Sequence, residues 1–245
     1  MAFSFDVSLL DDELDHLTAS ASWADVGARL EAFAARHGFE NVVHLKVKAD
    51  RRQGGGAVFV TTYSHEWVDR YRRENYQAID PVLEAMRIRL QPFDWRELRN
   101  RDAATRAFFD DAVRMGVGRQ GLTVPVRGAD GDRGVFSVTS NESDDEWDRR
   151  ARRLIPFLQI LGHALHQRLR GFGDGGEEMR LDGGLTPRER DVLRWAAAGK
   201  TTWETAVLLG LSEQTVQGYM REAVRRLGVA NKTSAVAEAV RRGLI

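Results

Sequence analysis

Residues 185–228 read LTPRERDVLRWAAAGKTTWETAVLLGLSEQTVQGYMREAVRRLG. The helix-capping residues and glycines in this stretch predict three short helices. A capping box over residues 186–189, with proline at its first helical position, begins the first helix. The second helix ends at Gly210, and Ser212 can cap a third helix that Gly228 closes. Two helices joined by a three-residue turn that contains glycine match the helix-turn-helix pattern.

The third of these helices has two chemically different faces. Its apolar residues recur at core spacing: Val216, Met220, Ala223, Val224 and Leu227. The opposite face carries five candidate DNA-contacting residues: Gln214, Gln217, Gly218, Arg221 and Arg225. Gln and Arg match the edges of adenine and guanine in the major groove, so this face predicts DNA recognition rather than a merely solvated surface. Gly218 is unusual, because glycine costs a helix interior about 1 kcal/mol; close approach to the groove would explain it, and so would tolerated drift.

The charge of the chain is unevenly divided, although its formal net charge is zero. Residues 185–245 hold ten Lys and Arg against six Asp and Glu, a balance of +4, which leaves −4 for residues 1–184. A basic last domain is consistent with an anionic partner.

Composition narrows the class of protein further. The chain has no Cys, which excludes disulfides and thiolate metal sites. No apolar run approaches the roughly 18 residues of a membrane span, and the start MAFSFDVSLLDDELDH lacks the basic residues of a signal peptide. We therefore expect a cytoplasmic protein with no membrane partner.

Residues 1–170 alternate between helix and strand patterns. Amphipathic helices are predicted over residues 22–37 and 145–169. Four segments are typical of strands: NVVHLKVKA, AVFVTTY, GLTVPVRG and RGVFSVTSN. The last two flank Ala129-Asp130-Gly131-Asp132, a good hairpin turn. The expected fold is α+β, an α-β-α sandwich around an antiparallel sheet of about five strands. The glycine-rich segment 171–184 is interpreted as a flexible linker to an all-α domain, residues 185–245.

A further segment, YSHEWVDRYRRENYQAIDP at residues 63–81, combines aromatic rings with polar groups. Tyr63, Trp67 and Tyr71 are four residues apart, so one helix would place them on a single face. Each ring carries an N–H or O–H group, which a purely apolar core does not need. An ordinary core stripe and a binding site both fit this pattern.

Both halves of the chain resemble one family. The run from Leu185 to Ile245 resembles the helix-turn-helix of LuxR-type quorum-sensing transcriptional regulators. The segments YSHEWVDRYRRENYQAIDPV, FDW and GLTVPVRGADGDRGVFSV look like that family's autoinducer-binding domain, which binds acyl-homoserine lactones. The resemblance covers most of residues 20–245. It implies a regulator whose promoter DNA binding is controlled by a diffusible N-acyl-homoserine lactone.

The resemblance also implies a set of ligand-binding residues: Tyr63, Trp67, Tyr71, Asp80, Trp95 and Ser137. Trp67 would donate its indole N–H to the lactone carbonyl, Asp80 would accept from the amide N–H, and Tyr63 would bond the amide oxygen. Ser137 would assist, the other two rings would wall the site, and Gly121 would keep the backbone compact. Asp80 has a competing role as the cap of the helix that Pro81 begins.

The resemblance leaves alternatives open. An orphan regulator with another small-molecule ligand, or with none, would share these motifs. An enzyme acting on the ligand is disfavoured, because the six histidines form no familiar metal pattern and no G-x-S-x-G motif is present. We expect no catalytic residues, metal or cofactor.

Dimerisation is expected because one helix-turn-helix reads few base pairs, so two would bind an inverted repeat. Either the last helix, near residues 235–242, or the long helix before the linker could pair; RNA polymerase is a possible further partner. Compared with the usual family pattern, Thr205 replaces a branched aliphatic residue, Gln217 a Lys or Arg, and Tyr219 a His. Gln217 and Gly218 leave the operator preference open.

Overall fold

The sheet of the N-terminal part is built from six strands in the residues that the structure, a computed structural model, describes: 7–47, 56–128, 132–172, 175–180 and 184–245. The strands are β1 (Asn41–Val47), β2 (Gly56–Thr61), β3 (Phe93–Asp94), β4 (Gln120–Arg127), β5 (Arg133–Ser140) and β6 (Glu177–Arg180), in the order β3-β4-β5-β1-β2-β6. β1 pairs antiparallel with β2 and β5, and β4 pairs antiparallel with β3 and β5. The antiparallel sheet is therefore confirmed.

Helices cover both faces of this sheet. One layer consists of α1 (Val7–Thr18), α2 (Trp23–His37) and α7 (Asp144–Arg170), and the other of α3 (His65–Arg73), α4 (Pro81–Ile88), α5 (Arg96–Arg99) and α6 (Ala103–Arg114). Because side chains alternate along a strand, Val42 packs into the core of the first layer. Its neighbours Val43 and Leu45 line a cavity beneath the second layer. This arrangement confirms the α-β-α sandwich.

Several boundaries differ from the sequence-based expectations. The structure adds β3 and β6, which are short and carry little periodicity, and β6 lies inside the segment interpreted as a flexible linker. Tyr63 precedes α3 instead of lying on it, because the Ser64 side chain accepts a hydrogen bond from the Trp67 backbone N–H at 3.2 Å and caps the helix. The loop residues 48–55 and the hairpin residues 129–131 lie outside the described residues.

A buried histidine pair joins α7 to the sheet on the face opposite the cavity. His166 Nε2 lies 3.0 Å from Asp132 Oδ2, and its Nδ1 lies 3.1 Å from Nε2 of His44. Arg170 also pairs with Asp132, at 3.2 Å. Burial lowers the pKa of His166 and, more strongly, that of His44. His166 therefore belongs to the buried interior of the domain, whereas His163 of the same helix is exposed.

Residues 180–245 belong to the second unit and contain α8 (Pro187–Ala197), α9 (Thr202–Leu209), α10 (Glu213–Leu227) and α11 (Lys232–Arg241). Thr186 and Glu189 form the predicted capping box. Gly210 has φ +65°, a left-handed conformation that turns α9 into α10. The all-α helix-turn-helix is confirmed.

The last helix is held mainly inside its own domain. Ala235 and Ala239 of α11 are fully buried in the domain core, whereas Val240 is 57% exposed. These two alanines therefore pack within the domain, against α8 and α10, which is the alternative to pairing with a partner. None of the helices in the described residues is long and apolar enough to cross a membrane.

Candidate ligand pocket and DNA-binding face

A cavity between the sheet and the second helical layer brings together all six residues predicted to bind a ligand. It contains about 730 Å³ of space between protein atoms, including its mouth. The predicted residues come from the β2–α3 connection, α3, the start of α4, the β3–α5 corner and β5: Tyr63, Trp67, Tyr71, Asp80, Trp95 and Ser137. Concave, largely apolar sites with a few polar groups suit small molecules.

Asp80 has a polar partner for each carboxylate oxygen. Oδ1 accepts from the backbone N–H of Val82 at 2.7 Å and of Leu83 at 3.3 Å, so Asp80 caps α4. Oδ2 accepts from the Tyr71 hydroxyl at 2.7 Å. Burial raises the pKa of Asp80, although these hydrogen bonds oppose the shift. The two roles weighed for Asp80 are compatible, because the cap uses one oxygen and leaves the other facing the cavity.

Ser137 stands at the end of a hydrogen-bond chain. Trp95 Nε1 donates to Thr123 Oγ1 at 2.8 Å, and Thr123 Oγ1 lies 2.7 Å from Ser137 Oγ. An indole nitrogen can only donate, so Thr123 accepts there, and donating its own hydrogen to Ser137 would satisfy the buried Thr123 hydroxyl. In that orientation the Ser137 hydroxyl hydrogen would be free for a ligand. Trp95 lies directly over Gly121, where an added Cβ would come within 2.2 Å of the indole.

Two further donors point to a ligand. Among the described residues, neither the Tyr63 hydroxyl nor Nε1 of Trp67 has a hydrogen-bond partner, although Trp67 is buried. The Trp67 ring packs against Tyr71 at 5.9 Å and Phe108 at 6.1 Å between ring centroids. Burial, followed by the charge of Asp80, raises the pKa of Tyr63 and of Tyr71, so both stay neutral donors. Both residues line the cavity, where a ligand carbonyl would give these donors an acceptor.

Sequence reasoning missed Thr123, Arg72 and the apolar lining of the cavity. Thr123 and Ser137 are direct partners in the β4–β5 register, so the hairpin pattern could have paired them. Most of the other lining residues are apolar: Val43, Leu45, Phe59, Val68, Val82, Leu83, Phe108, Ala112, Val117 and Val135. These look like ordinary core positions in the sequence, because only the tertiary fold leaves space between them.

The predicted DNA-contacting face of α10 is open to solvent. Gln214, Gln217 and Arg221 are exposed and have no side-chain partner among the described residues. Arg225 is exposed too, but its Nε donates to Glu222 Oε2 at 2.9 Å. A Cβ on Gly218 would meet nothing within 4 Å, so packing does not require glycine there. Lys232, at the start of α11, shares a surface depression with Gln217 and Arg221 and was not predicted.

A ligand cavity in one domain and a helix-turn-helix in the other define a ligand-responsive DNA-binding protein. The family model described as "Autoinducer binding domain" matches residues 22–169, and "Bacterial regulatory proteins, luxR family" matches residues 184–239. The chain therefore belongs to the LuxR family of quorum-sensing transcriptional regulators.

Known proteins agree with this assignment. The quorum sensing-dependent regulator RpaR of Rhodopseudomonas palustris is 31% identical over 96% of this chain and 92% of its own. The transcriptional activator RaiR of Rhizobium etli is 36% identical over 71% of each chain. Among solved structures, the N-acylhomoserine lactone dependent factor CepR2 from Burkholderia cenocepacia matches with a TM-score of 0.56 and 25% identity, over 68% of this chain and 99% of its own.

Proposed function

We propose that the cavity binds an N-acyl-homoserine lactone and that this ligand controls promoter binding by the C-terminal domain. One observation carries the proposal: free donors, a carboxylate acceptor and a serine hydroxyl converge in a cavity that is otherwise apolar. The lactone and amide of such a ligand offer two carbonyl acceptors and one N–H donor, and the acyl chain needs an apolar surface. CepR2, of similar fold, is described as dependent on this class of ligand.

The head group would be matched atom by atom. Trp67 Nε1 would donate to the lactone carbonyl, Oδ2 of Asp80 would accept from the amide N–H, and the Tyr63 hydroxyl would donate to the amide oxygen. Ser137 would supply a second donor near that oxygen. Each of these hydrogen bonds would involve a group that has no partner, or can make one more hydrogen bond, when no ligand is bound. Ligand binding would therefore complete the core of the domain.

Completing the core would couple ligand binding to the stability of the folded domain. A ligand that binds only the folded domain stabilises it by RT ln(1 + [L]/Kd), about 2.7 kcal/mol at a hundredfold excess over Kd.

The stabilised protein would act in the cytoplasm as a dimer on an inverted repeat in promoter DNA. The exposed residues Ile160 of α7 and Val240 of α11 lie on the two helices proposed to pair. Apolar side chains exposed on α9, Trp203, Val207 and Leu208, offer a surface for RNA polymerase.

The test uses the full chain expressed in a host that makes no acyl lactone, with a panel of lactones added during growth or after purification. Mass spectrometry identifies what co-purifies, thermal unfolding measures stabilisation, and titration of promoter DNA measures affinity. A lactone that co-purifies, raises the unfolding midpoint and changes DNA affinity is the expected result. Unchanged stability and DNA affinity with every lactone would favour an orphan regulator.

A further inference from the structure

The cavity has two chemically different ends. Ser137 on β5 marks the polar end, whereas Phe59 on β2 marks the other. Between them the floor consists of Val43 and Leu45 on β1. The order β5-β1-β2 puts two strand spacings, about 10 Å, between the polar end and Phe59. A ligand whose head group lies near Ser137 would therefore extend its tail across β1 toward Phe59.

An ion pair stands where that tail would end. Arg72 of α3 lines the cavity, and its guanidinium carbon lies 5.8 Å from the centroid of the Phe59 ring. Nη2 of the same side chain lies 2.9 Å from Oε2 of Glu177 in β6. The side chains of Arg72 and Glu177 are 44% and 49% exposed, so the pair lies at the mouth. Exposed ion pairs are weak, and this one can open or tighten at little cost.

Glu177 belongs to the segment that runs from the ligand-binding domain toward the helix-turn-helix in the sequence. This segment is docked on the first domain. β6 lies beside β2 at the edge of the sheet. Before it, Gly175 and Gly176 cross the Trp23 ring, where added Cβ atoms would come within 2.4 Å and 2.8 Å of the indole. The Trp23 ring, the edge of β2 and the ion pair thus hold the segment in place, and the ion pair links it to Arg72 in the cavity lining.

We infer that Arg72 determines which tail length is sensed and transmits the result to β6 through Glu177. The inference rests on the proposed function. A tail that just reaches Phe59 fills the space beneath the guanidinium and excludes water from it. The Arg72–Glu177 attraction is then stronger in the less polar surroundings, and β6 is held more firmly. A shorter tail leaves water there, whereas a longer tail pushes the guanidinium away from Glu177.

Hydrogen exchange of the full chain tests this coupling, with straight-chain N-acyl-homoserine lactones from butanoyl to dodecanoyl as the probes. We expect exchange of the β6 amides to be slowest at one intermediate chain length, by roughly two- to fivefold, the factor that an exposed ion pair supplies. Glu177→Gln should bind the same lactones, by thermal shift, but lose this extra protection. Glu97→Gln breaks a comparable exposed pair, with Arg89, away from the cavity and should behave like the wild type.

The outcomes separate this inference from the function on which it rests. If lactones raise the unfolding midpoint but β6 exchanges equally fast with all of them, or Glu177→Gln keeps the full protection, the coupling through Arg72 is wrong and lactone binding stands. If no lactone raises the midpoint, the proposed function and this inference fail together. A length-dependent maximum that vanishes in Glu177→Gln and persists in Glu97→Gln supports the coupling.

Discussion

Replacing Asp80 with asparagine separates its capping role from its ligand-binding role. The backbone N–H groups of Val82 and Leu83 require an acceptor, so the amide oxygen of the introduced asparagine must take the place of Oδ1. Its NH₂ group then replaces Oδ2 and faces the Tyr71 hydroxyl and the cavity. Tyr71 can rotate its hydroxyl to accept, but the N–H of a bound amide would meet another N–H.

The expected magnitudes follow from these contacts. A lost hydrogen bond to a charged acceptor costs about 1.5–3 kcal/mol, which corresponds to lactone affinity roughly 10- to 150-fold weaker. Stability without ligand should be unchanged or higher at neutral pH, because Asn caps helices as well as Asp does. Burial raises the pKa of Asp80, so its ionised form destabilises the fold at neutral pH, and the asparagine removes that cost.

Isothermal titration with the lactone that stabilises the wild type measures the loss of affinity, and thermal unfolding without ligand measures the stability. Asp80→Ala is the matched comparison, since it loses the cap as well and should cost a further ~1 kcal/mol of stability. Wild-type lactone affinity in Asp80→Asn would reduce Asp80 to a plain helix cap. A stability loss in Asp80→Asn equal to that in Asp80→Ala would refute the division of labour between the two oxygens.

Three other expectations concern the DNA-binding helix and the buried histidines. Gly218→Ala should stabilise α10 by about 1 kcal/mol in thermal unfolding, because the added Cβ meets nothing within 4 Å. A concurrent loss of promoter affinity would indicate that the helix approaches the DNA groove closely at this position. A lower unfolding midpoint would contradict the reasoning. Arg221→Ala should weaken specific promoter binding by about 1–3 kcal/mol, and an equal loss on random DNA would assign Arg221 to a phosphate contact. Burial lowers the folded-state pKa of His44 and His166, so protonation favours the unfolded chain, and stability present above about pH 6.5 should be lost as the pH falls below it. The unfolding midpoint of His166→Gln should depend less steeply on pH than that of the wild type; parallel slopes for the two proteins would refute this explanation.

Local signals in the sequence determined the DNA-binding domain almost completely. These signals are capping boxes, a left-handed glycine in the turn and an apolar period of 3.6 residues. Each depends on residues close together in the sequence, so it can be interpreted without the tertiary structure. The same holds for α2, for the hairpin strands and for the face of α10 that carries Gln214, Gln217 and Arg221. Domain class and family follow from such patterns.

The pocket depended on contacts that no local pattern contains. Thr123 becomes part of the site only because β4 pairs with β5, and Arg72 meets Glu177 only because β6 returns to the edge of the sheet beside β2. The sequence by itself determined which aromatic and polar side chains could recognise a small molecule. The tertiary structure decided that they surround a space, that one oxygen of Asp80 caps a helix while the other bonds Tyr71 in the cavity lining, and that Arg72 of this lining pairs with Glu177. Helix caps are set by neighbouring residues, whereas cavities are set by how distant residues pack.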